Sequence, residues 1–413
     1  KCCGKQAHRT YTILKGCNFM FLVGIDIGKH KHSFCIIDKE TGESIVKPKF
    51  FDNNKVGFEE LLSSFKGLPK KDILIGMEDT GHYHFTLLKF LLDKKYQVAL
   101  INPVTTDLTR KLSGSHTKTD KLDTLTICDV LTSNQRVKPY RISKVDRFDL
   151  YEQKQLTREH HNLKEQLNVI SNRLQKSIDI VFPEFNSLFK SRYGVVYNNI
   201  LKEFGSADAL AHSDIRTIRK CFDFKGRGNR IKLTAEKLKK AAINSIGFPS
   251  IAEVVQIKHL VNQIELIEEQ IEELDKKIEE FSINNNSPIL SIPGISHFSG
   301  TSILAELGDI HNYSKPSQII KFAGVAPLTY ESSQFTAKHT AITKKGSTYL
   351  RKTLYQIILP VINNNKVFKD YYNLKISQGK GYRCAQGHCV RKLLRVIFQL
   401  LSTNTQFDPV LLV

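Results

Sequence analysis

Residues 21–38 read FLVGIDIGKHKHSFCIID. Two runs rich in Val, Ile and Phe, 21–27 and 32–38, flank a turn that carries glycine and lysine, the pattern of two antiparallel strands. A third run, 44–50 (SIVKPKF), extends them into a meander. A helical stretch, Val56–Phe65, comes next. It leads into a strand at 73–78 (ILIGME), a helix at 82–93 and a strand at 97–101 (QVALI), closed by Asn102-Pro103. Three antiparallel strands followed by alternating helix and strand predict an α/β domain. Residues 119–135 predict one more helix, with Thr119 at its cap.

Within this domain Asp26 ends the first strand among apolar residues and glycine, where a core strand would not place a charge. Glu78 ends the strand at 73–78, and Asp120 and Asp123 are three apart at a helix start, on one face. Adjacent parallel strands bring their carboxyl ends together, and a following helix adds a second pair. Four carboxylates so gathered make an oxygen-rich site suited to two Mg²⁺ ions. Two metals activate an attacking oxygen and stabilise a leaving one in phosphodiester chemistry. Any one of these carboxylates alone reads as a cap or a surface charge; the ordered set points to a site.

Outward from this domain, the stretch 150–181 is helical, and a second long helix follows at 251–285. In the latter, Ile257, Ile264, Ile271 and Ile278 hold one heptad position, and Leu260, Ile267, Leu274 and Phe281 the other. Four heptads with every a and d position apolar predict a coiled coil, paired within a chain or between chains. The segment 289–309 (ILSIPGISHFSGTSILAELGD) has the look of a helix-hairpin-helix, whose turn at Gly294 would offer backbone N–H groups to a phosphate.

The chain has 413 residues and a formal net charge of +20, which points to a polyanionic partner, DNA or RNA. The charge is uneven. Residues 315–400 hold fifteen Lys or Arg against Glu331 and Asp370, and residues 216–240 hold ten against Asp223 and Glu236. Residues 251–281 carry nine acids against three lysines, so two basic blocks flank an acidic helix. No apolar run is long enough for a transmembrane helix, and eight cysteines without regular spacing predict a reducing, cytoplasmic setting. Residues 1–19 have no strand or helix period and precede Met20, and are expected to be a non-native or upstream leader.

GIDIGK, then GMEDTGHYH, INP and KTDKLDTLTI, resemble the RuvC-like, RNase H-fold half of the DEDD insertion-sequence transposases. That family includes Piv-type DNA invertases and bridge-RNA-guided recombinases. SIPGISHFSGTSILAELGDI, FAGVAPLTYESS and TKKGSTYLRKTLYQ resemble its C-terminal transposase domain. The resemblance implies Asp26, Glu78, Asp120 and Asp123 as Mg²⁺ ligands and catalytic residues, with Ser332 as the nucleophile. The family pattern has glycine after that serine where this chain has Ser333. The resemblance further implies a phosphoserine intermediate that releases a 3′-OH, donor and target DNA as substrates, a structured bridge RNA as guide, and no membrane partner. Recombination of two duplexes adds the expectation of a homodimer that forms a tetramer on DNA, joined along the heptad seam. Lys29, Lys118, Gly294, Lys344, Lys345, Arg351, Lys352 and Arg391 are the expected nucleic-acid contacts. A catalytically inactive regulator is the alternative of another class. The expected domains are a RuvC-like domain at 20–145, a first coil helix at 146–181, a basic insert at 182–250, a second coil helix at 251–285, and a mainly α C-terminal transposase domain at 286–413.

Overall fold

The computed structural model describes residues 19–79, 81–112, 119–133, 140–143, 147–190, 192–223, 233–328, 331–332, 335–336 and 341–412. The expected leader lies outside them, except for its last residue. The chain divides into two compact units, Lys1–Phe148 and Asp149–Val413.

The first unit follows the predicted order closely. Strands β1 (Phe21–Asp26), β2 (Lys31–Asp38) and β3 (Ser44–Asp52) form the meander, and helix α1 (Lys55–Ser63) leads to β4 (Ile73–Glu78). Helix α2 (Phe85–Asp93), β5 (Gln97–Ile101), helices α3 (Pro103–Leu112) and α4 (Asp120–Thr132), and the short β6 (Tyr140–Ile142) complete it. The sheet order is β3-β2-β1-β4-β5-β6. β1, β4 and β5 run parallel, and the remaining pairings are antiparallel.

Both faces of the sheet are covered at β1, β4 and β5, which is why these strands read as continuous apolar runs, whereas the edge strand β3 is mostly exposed. Val23, Ile25, Ile75 and Met77 pack with Leu61 of α1 and Leu88 and Leu91 of α2. Leu22, Leu74, Ala99 and Ile101 pack on the other side with Ile127, Cys128 and Leu131 of α4. Thr119 caps α4 as predicted, its side chain accepting from the Leu122 N–H.

The second unit is mostly helical. Helix α5 (Arg147–Val181) begins at the boundary and continues through it. Helices α6 (Val195–Glu203), α7 (Ala207–His212), α8 (Ile215–Lys220) and α9 (Ala235–Ile243) come next, then α10 (Ile251–Asn285). Helices α11 (His297–Leu307) and α12 (Pro316–Phe322) precede a two-stranded ribbon, β7 (Glu331–Ser332) with β8 (Phe335–Thr336). Helices α13 (Thr348–Asn364), α14 (Lys366–Ser377) and α15 (Tyr382–Thr403) close the chain.

The heptad seam of α10 is covered within one chain, which corrects its reading as a surface for a second copy. Ile257, Leu260 and Ile264 share a core with Leu174, Ile178 and Val181 of α5 and with Val196, Ile200 and Leu201 of α6. Ile267 and Ile271 share another with Leu163. A heptad pattern requires that a stripe be buried but does not specify which surface buries it. The expected helix-hairpin-helix also takes another form: its first member is a single 3₁₀ turn, Pro288–Ser291. Among the described residues no helix is long and apolar enough to cross a membrane.

Candidate active site and nucleic-acid interface

Asp26 and Glu78 close neighbouring parallel strands, and Asp120 and Asp123 lie in the first turn of α4. Ile25 of β1 stands beside Met77 of β4, so Asp26 and Glu78 follow at neighbouring strand ends. Asp26 itself is paired with Ser33 across β2, and the Ser33 hydroxyl donates to the Asp120 carbonyl at 2.9 Å. That bond fixes the start of α4 next to the end of β1. Gly24 permits the approach: a Cβ there would lie 2.1 Å from the Thr124 carbonyl oxygen of α4.

The charges register on Asp26. Its carboxyl is pushed up to about 6, first by burial and then by Asp123, Asp120 and Glu78. A half-buried carboxylate repelled by its neighbours in this way is what a cation relieves. The Glu78 carboxylate accepts from the Thr106 hydroxyl of α3. Arg110 of the same helix pairs with Asp107 and donates from Nη1 to Asp123 at 3.4 Å. Sequence reasoning missed α3 and these two residues; Pro103 at its first position was the available signal. Asp79, adjacent to Glu78, faces His84 at 3.5 Å. His32 accepts from the Gly28 N–H and packs on Phe51.

Four carboxylates supply an all-oxygen donor set, which suits Mg²⁺ in charge and in atom type. Among the described residues no three His, Cys, Asp or Glu side chains already converge as metal ligands. The residues therefore fit the ion in chemistry, while the present arrangement includes the Arg110 guanidinium beside Asp123.

In the second unit, Ser332 lies on β7 opposite Phe335 of β8. Nested pairings continue inward from it. The Leu328 N–H donates to the Ala341 carbonyl, Thr343 to Ala326, and Lys344 to Gly324. These bonds make a β-arm with Ser332 toward its far end. Ser333 lies outside the described residues.

The expected nucleic-acid contacts divide by what they touch. Lys29, Lys344 and Lys345 are exposed. Lys118 lies outside the described residues. Lys352 is bound to Glu165 at 2.6 Å. Arg351 donates to the Ala323 and Lys344 carbonyls, and Arg391 to the Val325 carbonyl. Gly294, at φ +100, is pressed against the backbone of Pro360 and Val361, where a Cβ would lie 2.6 Å from the Val361 nitrogen. Sequence reasoning also missed a buried polar network. Glu306 of α11 accepts from Arg158 at 2.6 Å and from Ser347 at 2.7 Å, with Lys154 at 3.7 Å. Burial works to raise the Glu306 carboxyl, but these partners outweigh it and hold it below its usual value.

A mixed sheet of this order with an acidic cluster at its strand ends, followed by a mostly helical unit, is consistent with a DEDD, RNase H-like transposase. A family model described as a transposase, of the DEDD type, matches residues 23–183. A second, for the transposase IS116/IS110/IS902 family, matches residues 286–373. The chain belongs to this IS110/IS116/IS902 family of transposases. It is 21% identical to the pilin gene-inverting protein of Moraxella bovis, over 94% of this chain and 97% of that protein. It is likewise 21% identical to an uncharacterized insertion element IS116 protein of Streptomyces clavuligerus, over 94% and 96%. With the transposase for insertion sequence element IS1111A of Coxiella burnetii the identity is 26%, over 29% of this chain and 33% of that one.

Proposed function

We propose that this transposase cuts and rejoins DNA through a metal site on Asp26, Glu78, Asp120 and Asp123 and a nucleophilic hydroxyl on Ser332, guided by a structured RNA. The observation that carries the reading is the electrostatic gathering of the four acids. Asp26, half-buried at a strand end, has its carboxyl raised by burial and further by the other three. Bound Mg²⁺ would polarise the scissile phosphate and stabilise the leaving oxygen. The chain's own residues do the rest. Asp26, Glu78, Asp120 and Asp123 hold the cation charge at the end of the sheet, and Thr106 orients Glu78 by hydrogen bond. The Ser332 oxygen attacks phosphorus, its proton passes to a base, and the bond from phosphorus to O3′ breaks. The products are a phosphoserine link and a free 3′-OH, which can attack the link on a partner strand and restore the serine.

The exposed Lys29, Lys344 and Lys345 are the phosphate contacts in this reading. The assembly is a homodimer that pairs on DNA, through a surface other than the α10 seam. Relatives that invert a pilin gene align over nearly all of the chain, so inversion of a DNA segment is the second reading for the native event.

The test is a covalent trap. Wild-type protein with DNA flanking its gene should give an adduct that survives denaturing gels, lost in Ser332→Ala and in Asp26→Asn. RNA should co-purify with it, and nuclease treatment should abolish sequence-specific DNA binding. An undiminished adduct in Ser332→Ala rejects the serine assignment.

A further inference from the structure

The β-arm that carries Ser332 is fastened at its root by two guanidinium groups from two helices. Arg351, in the first turn of α13, donates from Nη1 to the Ala323 carbonyl at 3.3 Å and to the Lys344 carbonyl at 3.1 Å. Those carbonyls flank the two limbs of the arm. Arg391 of α15 donates from Nη1 to the Val325 carbonyl at 3.4 Å. The backbone between them is compressed. At Gly324, φ +67, a Cβ would sit 2.6 Å from Arg351 Nη1 and 3.0 Å from the Lys344 carbonyl carbon. At Gly346, φ +136, it would sit 2.1 Å from the Phe322 oxygen. Lys344 between them is itself left-handed, at φ +53. Only glycine adopts such angles freely and leaves room for backbones this close. The Ser347 N–H, finally, donates to the Phe322 carbonyl at 2.8 Å.

A positively charged group in a basic block invites assignment to a phosphate. Here both guanidinium groups instead close on carbonyls of the arm itself. A guanidinium presents its N–H groups in a fixed planar fork, so it can hold two carbonyls in a set relation, which a lysine ammonium on a flexible stem does not do. Attack on a phosphate depends on placing the reacting oxygen to within about 1 Å. An arm loose at its root would lose that placement at its far end.

We propose that Arg351 and Arg391 are positioning residues for the Ser332 reaction: they clasp the two limbs of the arm and so present the hydroxyl, rather than contributing affinity for DNA. This rests on the assignment of Ser332 as nucleophile. The arm's fastening, however, can be measured without it.

The experiment uses full-length Arg351→Lys, Arg351→Ala and Arg391→Lys, with duplex taken from the DNA flanking the gene. Three quantities are read: amide exchange of the peptide spanning 341–347, DNA affinity with its salt slope, and the rate of covalent adduct formation at saturating DNA. Arg351→Lys keeps the charge and the solubility if the alanine variant fails to fold. The expected result is faster exchange at Thr343 and Lys344 and an adduct rate lowered by about 10- to 100-fold. DNA affinity should stay within about 2-fold, with its salt slope unchanged. Lysine should behave like alanine. The proposal is overturned if Arg351→Ala weakens DNA binding by about 10-fold and flattens the salt slope by about one, while lysine behaves as wild type. It is equally overturned if exchange at 341–347 is unchanged. A wild-type protein that forms no Ser332-dependent adduct, yet shows faster exchange in the variants, supports the clasp and removes only the nucleophile assignment.

Discussion

Gly24 and Gly76 stand opposite each other on the adjacent parallel strands β1 and β4, and helix α4 lies across both. A Cβ at Gly24 would meet the Thr124 carbonyl, a backbone atom. One at Gly76 would come nearest to side-chain atoms of Leu131 and Ile127, at 2.8 and 2.9 Å. The helix can yield to the second more easily than to the first. Because α4 begins with Asp120 and Asp123, its height over the sheet sets where those carboxylates stand relative to Asp26.

Gly24→Ala should therefore cost about 1–3 kcal/mol by overpacking and lower adduct formation by more than its loss of folded protein explains. Gly76→Ala should be milder on both counts. Thermal unfolding and adduct yield per folded molecule check this. Equal effects of the two substitutions would dissociate the acid cluster from the seating of α4.

Asp26→Asn removes the carboxylate that Asp123, Asp120 and Glu78 all repel, with little change in size. In metal-free protein at pH 7.5 it should raise Tm slightly, because a half-buried charge and its repulsion by the other three are gone. Added Mg²⁺ should stabilise wild type by mass action and the Asp26→Asn variant much less. Arg110→Met, by clearing the guanidinium beside Asp123, should increase the Mg²⁺-induced rise in Tm. Equal shifts in all three proteins would place the ion elsewhere.

The Arg158–Glu306 pair joins α5 to α11, with the Glu306 side chain fully buried. Arg158→Met leaves that carboxylate short of its main partner, and should cost about 3–5 kcal/mol. Replacing both, as Arg158→Met with Glu306→Leu, should cost less than the single change. Chemical denaturation of the three proteins reads the difference.

His160 and His161 are buried side by side on α5, and each has its pKa lowered to about 4. Burial is the first cause for both; Lys164 and Lys352 add to it at His160, and Lys352 and His160 at His161, where Glu165 and Glu306 oppose. Asp275 also faces His160, at 3.2 Å. The unfolded chain takes up these protons near 6.5 while the folded one resists until about 4. Their neutral forms thus favour the fold above pH 6.5, and stability should fall as pH drops through that window. A double His160→Asn, His161→Asn variant should show a flatter acid limb when Tm is followed from about pH 7 to 4.

Ile264→Asp with Ile271→Asp separates two roles for the seam. Both positions are buried within the chain, so the pair of charges should unfold or aggregate the protein, at a cost of several kcal/mol. A well-folded variant with reduced mass in light scattering would return the seam to an intermolecular role.

The first unit was legible because its central strands β1, β4 and β5 are apolar on both faces and its glycines mark turns and crossings. Strands β1 and β4 and the Thr119 cap stand where the sequence puts them. Helix α3 was not legible: TTDLTRK offers little apolar face, and its worth lies in Thr106 and Arg110 reaching residues brought near only by the fold. Charge is silent in the same way about the intrachain partners of Arg351, Lys352 and Arg391. Composition counts a cation but does not say whether it meets a phosphate, a carboxylate or a carbonyl. The seam shows the matching limit for apolar residues, since periodicity reports burial and leaves the covering surface to tertiary structure.

Helices α5 and α10 contain 35 residues each, so each is about 52 Å long at the α-helical rise. They share cores along their length. The small helices α6–α9 ride on the end formed by Leu174–Val181 and Ile257–Ile264. Near the other end, Ser282 of α10 meets His297 of α11. B-form DNA advances about 3.4 Å per base pair, so the two-helix rod is as long as about fifteen base pairs. The helices α6–α9 at one end and α11 at the other are thereby held at a set spacing, fixed by the number of turns between them rather than by any loop.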